Sequence, residues 1–336
     1  MKDVLHSITG AFLIALLILS GCMPDAERDN PFDPKSERYR SEPEEDGILS
    51  GRVTKLVPPI DGIAGVTVTL SEPGGSGVTG SDGSYTITNI PKGFYTVTAR
   101  KSDYAEEDTT VEIIAGQNHI INFSLNGLPY FVATSVTSEH AKTPFDDYHF
   151  HFEAVVNDPD DIPDNSDIVS VVVSVDAFSF ERKLNRVLNT NQYFLTVPPK
   201  DVTGGSLEKL MGKNAIFSAR DRNGSKTDSA PAHLVRIINQ SPSTITPNEE
   251  ESMDSRQLLV WEPFSDLVDF DFKYTVDVIS FSSGWQMTDI SSDSTSISVT
   301  EPLDPLPPYQ WAVWVVDVFG NTSKSPYVTF YIESGR

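Results

Sequence analysis

Gly65-Val66-Thr67-Val68-Thr69-Leu70 is followed by Asp82-Gly83-Ser84-Tyr85-Thr86-Ile87 and by Ile90-Pro91-Lys92-Gly93-Phe94-Tyr95-Thr96-Val97. In each stretch apolar residues alternate with polar ones, the period of a strand with one buried face. Asp-Gly and Pro-Lys-Gly punctuate the runs with residues that tolerate tight turns and positive φ. Outward from here, short runs rich in Val, Ile, Thr, Tyr and Phe, broken by Gly, Pro, Asn and Asp, recur to the C-terminus. Helical periodicity is almost absent beyond the first twenty or so residues. The chain therefore reads as all-β, and its 336 residues allow two or three domains.

Gly51-Arg52-Val53 opens the first expected domain, residues 47–127, and residues 111–114 and 119–125 supply its last strands. The order Gly-x-Val, Gly-Val-x-Val, Asp-Gly-x-Tyr and Pro-x-Gly-x-Tyr resembles the carboxypeptidase regulatory-like domain, a transthyretin-like sandwich. That resemblance implies a non-catalytic module. His119 has no second histidine or glutamate placed to share a metal with it and is read as a strand surface residue.

Residues 128–239 form a second expected sandwich, Ig-like in pattern only. Tyr148-His149-Phe150-His151-Phe152-Glu153 alternates strictly, which puts His149, His151 and Glu153 on one face, a set that could bind a transition metal or simply be a solvated sheet face. Asn157-Asp158-Pro159-Asp160-Asp161 follows, with Asp164 and Asp167 beyond it. Hard carboxylate oxygens in a loop suit calcium, so Asp158, Asp160 and Asp161 are the candidate ligands, although the spacing is not that of an EF-hand and the same residue types fill ordinary turns. Residues 207–211 read as one helical turn ending at Gly212.

The third expected domain, residues 240–336, resembles a fibronectin type III domain. The resemblance rests on Trp261-Glu262-Pro263, Tyr274-Thr275-Val276, Leu303 six residues before Tyr309, Tyr309-Gln310-Trp311-Ala312-Val313, and Asp317 with Gly320-Asn321. It implies a tyrosine corner at Tyr309. Arg220-Asp221-Arg222-Asn223-Gly224-Ser225 in the second domain is similar to Val316-Asp317-Val318-Phe319-Gly320-Asn321 in the third, as two closing hairpins of related sandwiches would be.

At the other end, residues 8–19 are an apolar run too short to span a bilayer but fitting the core of a secretory signal peptide. The run ends in Leu19-Ser20-Gly21-Cys22, which resembles the lipobox of bacterial lipoproteins. The resemblance implies cleavage after residue 21 and a diacylglyceryl group on Cys22, the sole cysteine. Met23 in place of Asp favours the outer membrane, by the rule for enterobacterial lipoproteins. Residues 22–46 are rich in Pro, Glu, Asp, Arg and Ser and bury too little apolar surface to fold alone, so they read as a disordered tether. Within them Asn30-Pro31-Phe32-Asp33-Pro34 is similar to an element that follows the lipobox in several environmental bacterial lipoproteins. The expected architecture is thus three tandem β-sandwich domains after a lipoprotein signal peptide (residues 1–21) and a flexible tether.

Formal net charge is -23, and residues 241–336 hold fifteen acidic residues against four basic ones. Such a chain repels nucleic acid and anionic lipid, and nucleic-acid binding is excluded as a function. No Ser-His-Asp context, His-Glu-x-x-His motif, P-loop or dinucleotide fingerprint occurs, so no enzyme activity, no catalytic residue and no cofactor are expected, calcium being the ion the Asp-rich loop suits. The leading expectation is a lipid-anchored envelope protein, periplasmic or surface-exposed, whose modules act as spacer and protein-interaction surface. Carbohydrate binding through Trp285 and Trp314 is one alternative. An accessory subunit of an envelope enzyme or transport complex is another. The expected partners are the membrane, through the N-terminal lipid, and another envelope protein or a glycan.

Overall fold

The computed structural model describes residues 36, 46–142, 145–160, 167–254, 257–281, 284–305 and 308–333. Cys22, the expected signal peptide and most of the expected tether lie outside these residues. Among the described residues no helix is long and apolar enough to cross a membrane.

The protein is built almost wholly of strands, and its buried side chains fall into three clusters that follow one another along the chain, residues 49–125, 136–234 and 238–332. In the first, the strand Thr67–Leu70 buries Val68 and Leu70 and exposes both threonines, as alternation requires. Two sheets enclose this core. Gly47–Lys55 lies beside Ser84–Ile90, Asn118–Ile120 and Phe123–Leu125, while Thr67–Leu70 and Gly93–Arg100 form the centre of the other. Gly83 turns the chain at φ 82°, and a β-carbon there would sit 2.3 Å from the Val53 carbonyl oxygen, so both backbone angle and space demand glycine.

The second core lies between a sheet centred on Tyr130–Lys142 and Asp146–Asn157 and a sheet centred on Ile168–Val175 and Ile216–Asp221. Phe150, Phe152, Val171, Val173 and Phe217 fill it. The helical turn expected at residues 207–211 is a 3-10 turn, Glu208–Leu210, with Gly212 at φ 67° after it. A short α-helix, Pro199–Thr203, was not expected. Its signals were local: Pro at the first helical position, where no N–H is needed, and Gly204 at φ 72° ending it.

The third core holds Trp261, Tyr274, Tyr309, Trp311 and Phe330, all essentially inaccessible to solvent. The Tyr309 hydroxyl accepts the Asp304 N–H at 3.1 Å, the corner that the Leu303–Tyr309 spacing implied.

The three sandwiches are not equally separate. The hairpin strand Thr322–Lys324 of the third pairs in parallel with Tyr130–Lys142 of the second, through Thr322↔Glu139, Ser323↔His140 and Lys324↔Ala141. One ten-stranded sheet therefore runs through both. The two closing hairpins share a set of hydrogen bonds. The Ser225 and Asn321 N–H groups donate to Oδ1 of Asp221 and Asp317, at 2.7 and 2.9 Å. Ser229 and Ser325 each accept a strand N–H through Oγ, at 3.1 Å in both. Each hairpin lies at the end of its sandwich where the preceding linker arrives.

Candidate metal centre

Four aspartates meet at the end of the second sandwich that faces the first. Asp158 and Asp160 follow the strand Asp146–Asn157, which stops where Pro159 has no N–H to give to a ladder. Asp167 directly precedes Ile168–Val175, and Asp221 ends Ile216–Asp221. All four are at most 4 % exposed. One carboxylate oxygen each from Asp158, Asp167 and Asp221 can be chosen so that all lie within 4.8 Å of one another.

The linker between the sandwiches is threaded into this cluster. Asn126 Nδ2 donates to Asp221 Oδ2 at 2.5 Å, and the Gly127 N–H donates to Asp160 Oδ2 at 2.5 Å. A β-carbon on Gly127 would stand 2.6 Å from Asp158 Oδ1, so the linker approaches this closely only because it carries glycine. Asp158 Oδ1 in turn accepts the Asp160 N–H at 2.9 Å. From the first sandwich, Lys55 Nζ donates to the Pro159 carbonyl at 2.7 Å.

The remaining oxygens are unprovided for. Asp158 Oδ2, Asp160 Oδ1 and both oxygens of Asp167 are buried, and among the described residues no donor reaches hydrogen-bond distance. The Arg222 guanidinium is mostly exposed, and its Nε stands 4.0 Å from Asp167 Oδ1, an ion pair at its outer limit. Burial pushes the Asp158 carboxyl up to about 6, with the neighbouring carboxylates adding to the shift. Burial likewise raises Asp160, partly offset by the Gly127 N–H and Lys55, and raises Asp167, where Asp221 adds like charge. Buried carboxylates without donors are costly, and they are the chemistry that a hard cation with oxygen ligands satisfies.

Sequence reading named Asp158, Asp160 and Asp161. The structure brings the first two into the cluster, and Asp161 lies outside the described residues. Asp167 joins the same group. The member that loop reading left out is Asp221, far along the chain. Its signal was the hairpin similarity to Asp317, which marked it as an aspartate with a fixed structural position.

The other candidates are arranged differently. His151 uses both ring nitrogens, on Thr196 Oγ1 at 2.8 Å and Glu139 Oε2 at 3.1 Å, and His149 stands 3.9 Å from Asp147. His119 Nε2 accepts the Ile114 N–H at 3.0 Å. Trp285 leans on the third core and donates to Thr300 Oγ1 at 3.0 Å. Trp314 is on the opposite face of its sheet, bonded to Asp277 Oδ2 at 2.6 Å, with the Lys324 ammonium 4.5 Å from its ring centroid. The two tryptophans thus offer no common stacking platform.

Residues 48–126 match the carboxypeptidase regulatory-like domain family. No curated protein matches the chain. Among solved structures it is similar to the chicken CNTN1 FN1-FN3 domains, at 12 % identity over 88 % of this chain and 98 % of that one, TM-score 0.29. It is similar to a DUF3823 family protein from Parabacteroides merdae, at 16 % identity over 57 % and 100 %, TM-score 0.25. A chain of the type II cohesin-X-dockerin complex from Acetivibrio cellulolyticus matches at 22 % identity over 24 % of this chain, TM-score 0.21, and the match spans 58 % of its length. The three cores and their sheets make the chain a tandem array of β-sandwiches, of which residues 48–126 match the carboxypeptidase regulatory-like domain.

Proposed function

We propose that the chain is a non-catalytic, lipid-anchored envelope protein in which Cys22 holds the membrane and the sandwiches form a stiff spacer that presents an interaction surface. The observation that carries this reading is the sheet shared by the second and third sandwiches, which ties two cores into one body through backbone hydrogen bonds. A spacer has to keep its ends apart, and such a joint resists bending in a way that a free linker cannot. The carboxylates raised by burial lie at the first joint rather than in an open cleft, which suits a structural part better than a reacting centre.

Metabolic labelling with a fatty-acid probe tests the anchor. The natural chain should take up label and fractionate with membranes, and the Cys22→Ser chain should do neither. A labelled Cys22→Ser protein would refute the lipid assignment. A hydrolytic activity abolished by a point substitution in residues 46–333 would refute the non-catalytic one.

A further inference from the structure

The third sandwich supplies an internal control for the first joint. Its hairpin aspartate, Asp317, accepts the equivalent N–H four residues on, as Asp221 does, and is likewise buried. Oδ2 of Asp317 receives Arg236 Nη1 at 2.9 Å, from the linker that enters the third sandwich. That guanidinium is held between aromatic rings, 4.2 Å from the Phe270 centroid and 5.3 Å from that of Phe319. Charge at the second joint is therefore balanced by the chain itself. At the first joint the corresponding linker residue is Asn126, which is neutral, and three further buried carboxylates lie around the hairpin aspartate, while the mostly exposed Arg222 guanidinium reaches only Asp167 Oδ1, at 4.0 Å.

We propose that Asp158, Asp167 and Asp221 coordinate one divalent cation of the calcium type, and that this ion locks the first sandwich onto the second. The donor set is all oxygen, with no imidazole or thiolate in the group, which selects a hard cation over a transition metal. Oxygens on opposite sides of a calcium ion lie roughly 4.6–5.2 Å apart, and the oxygens here lie within 4.8 Å of one another, a spread compatible with one shared ion. Magnesium, which keeps several waters and is rarely held by an all-protein carboxylate set, is the less suited of the two hard cations. Asp160 completes the device. It adds charge beside the ion and receives the Gly127 N–H, while Asn126 is bonded to Asp221, so two successive linker residues are fastened to the cluster. Binding the ion thereby fixes the linker. This inference does not depend on the membrane anchor.

The test is calcium chloride titrated into the full chain freed of divalent ions with a chelator, with heat of binding and thermal unfolding as readouts. One ion should bind per chain, unfolding should shift upward by several degrees, and proteolytic cleavage of residues 126–129 should slow. Asp167→Asn and Asp221→Asn should weaken binding by more than about tenfold, the scale of even an outer-sphere loss. Asp167→Asn also separates ligation from packing. Neither carboxylate oxygen of Asp167 has a hydrogen-bond donor among the described residues, so without calcium this variant should be at least as stable as the natural chain. Four outcomes would overturn the proposal: no heat and no shift at millimolar calcium, an equal response to magnesium chloride, a full calcium shift in Asp167→Asn, or the same loss of stability in that variant with and without calcium.

Discussion

The two joints of this molecule use the same hairpin for opposite electrostatic arrangements. At the second joint, Asp317 meets Arg236, Asn321 Oδ1 accepts the Ser138 N–H at 2.9 Å, and His140 bridges Ser323 Oγ and Asp146 while stacking on Tyr148 at 4.4 Å. Each of these charged groups has a partner supplied by the chain. At the first joint, Asp221 meets an asparagine and a crowd of carboxylates. The difference shows that a buried aspartate at a domain border says little by itself. What matters is whether the sequence brings its own cation or leaves the charge for something else to balance.

The largest effect is expected from breaking the balanced side. Arg236→Met keeps much of the side-chain volume but leaves the buried Asp317 charge without its cation, held only by Asn321 Nδ2 and the Phe319 and Asn321 N–H groups, which should cost about 3 kcal/mol in urea unfolding of the last two sandwiches. Calcium should not restore it, because no second carboxylate is bonded into that hairpin among the described residues. A loss well under about 1 kcal/mol would show that the hydrogen bonds from Asn321 and Phe319, or solvent, suffice for the Asp317 charge, and that the joints are less different than they look. Next in size is Gly127→Ala. Its β-carbon would collide with Asp158 Oδ1, so the linker must lift from the cluster, at about 1–3 kcal/mol for an overpacked site. Faster proteolysis at residues 126–129 checks it, and unchanged cleavage would mean that the linker is not seated as described.

The smallest effect concerns Glu139, where the second joint meets the open sheet face. A hydrogen bond from His151, with His151's charge adding, holds its carboxyl below the usual value of 4.5. A lowered carboxyl contributes stability that is complete above the unfolded value and is lost as pH falls through the folded one. Acid unfolding curves of Glu139→Gln should therefore lie below the natural chain above about pH 4.5 by under about 1 kcal/mol and converge with it in stronger acid. Curves that stay parallel at all pH values would remove the ion pair from the account of this joint.

Local order was readable from residues alone, because it is encoded locally. The alternation in Thr67–Leu70, the turn at Gly83 and the corner at Tyr309 each depend on a few neighbouring residues, and each stands where the sequence put it. The helix Pro199–Thr203 had equally local signals in its proline and its two following glycines, and was missed because five residues show no periodicity. The metal candidate was half legible. Asp158 and Asp160 advertise themselves in one loop, but a carboxylate cluster is a property of three chain segments, and nothing local says that Asp221 closes it. Least visible was the shared sheet. Ser138 and Asn321 are 183 residues apart, and a parallel ladder of three residues leaves no period, turn or composition by which to find it.

That ladder also decides where the chain can be cut. A truncated chain ending near residue 239 would retain the whole second core yet strip the backbone partners from Glu139, His140 and Ala141, leaving the flank of the strand Tyr130–Lys142 open over the residues where the third sandwich now lies. An uncovered sheet edge is a template for pairing with another chain. The border drawn by the cores is therefore not a clean border for dissection: the final two sandwiches are separable in the counting of hydrophobic centres but share a ladder that cutting between them would expose.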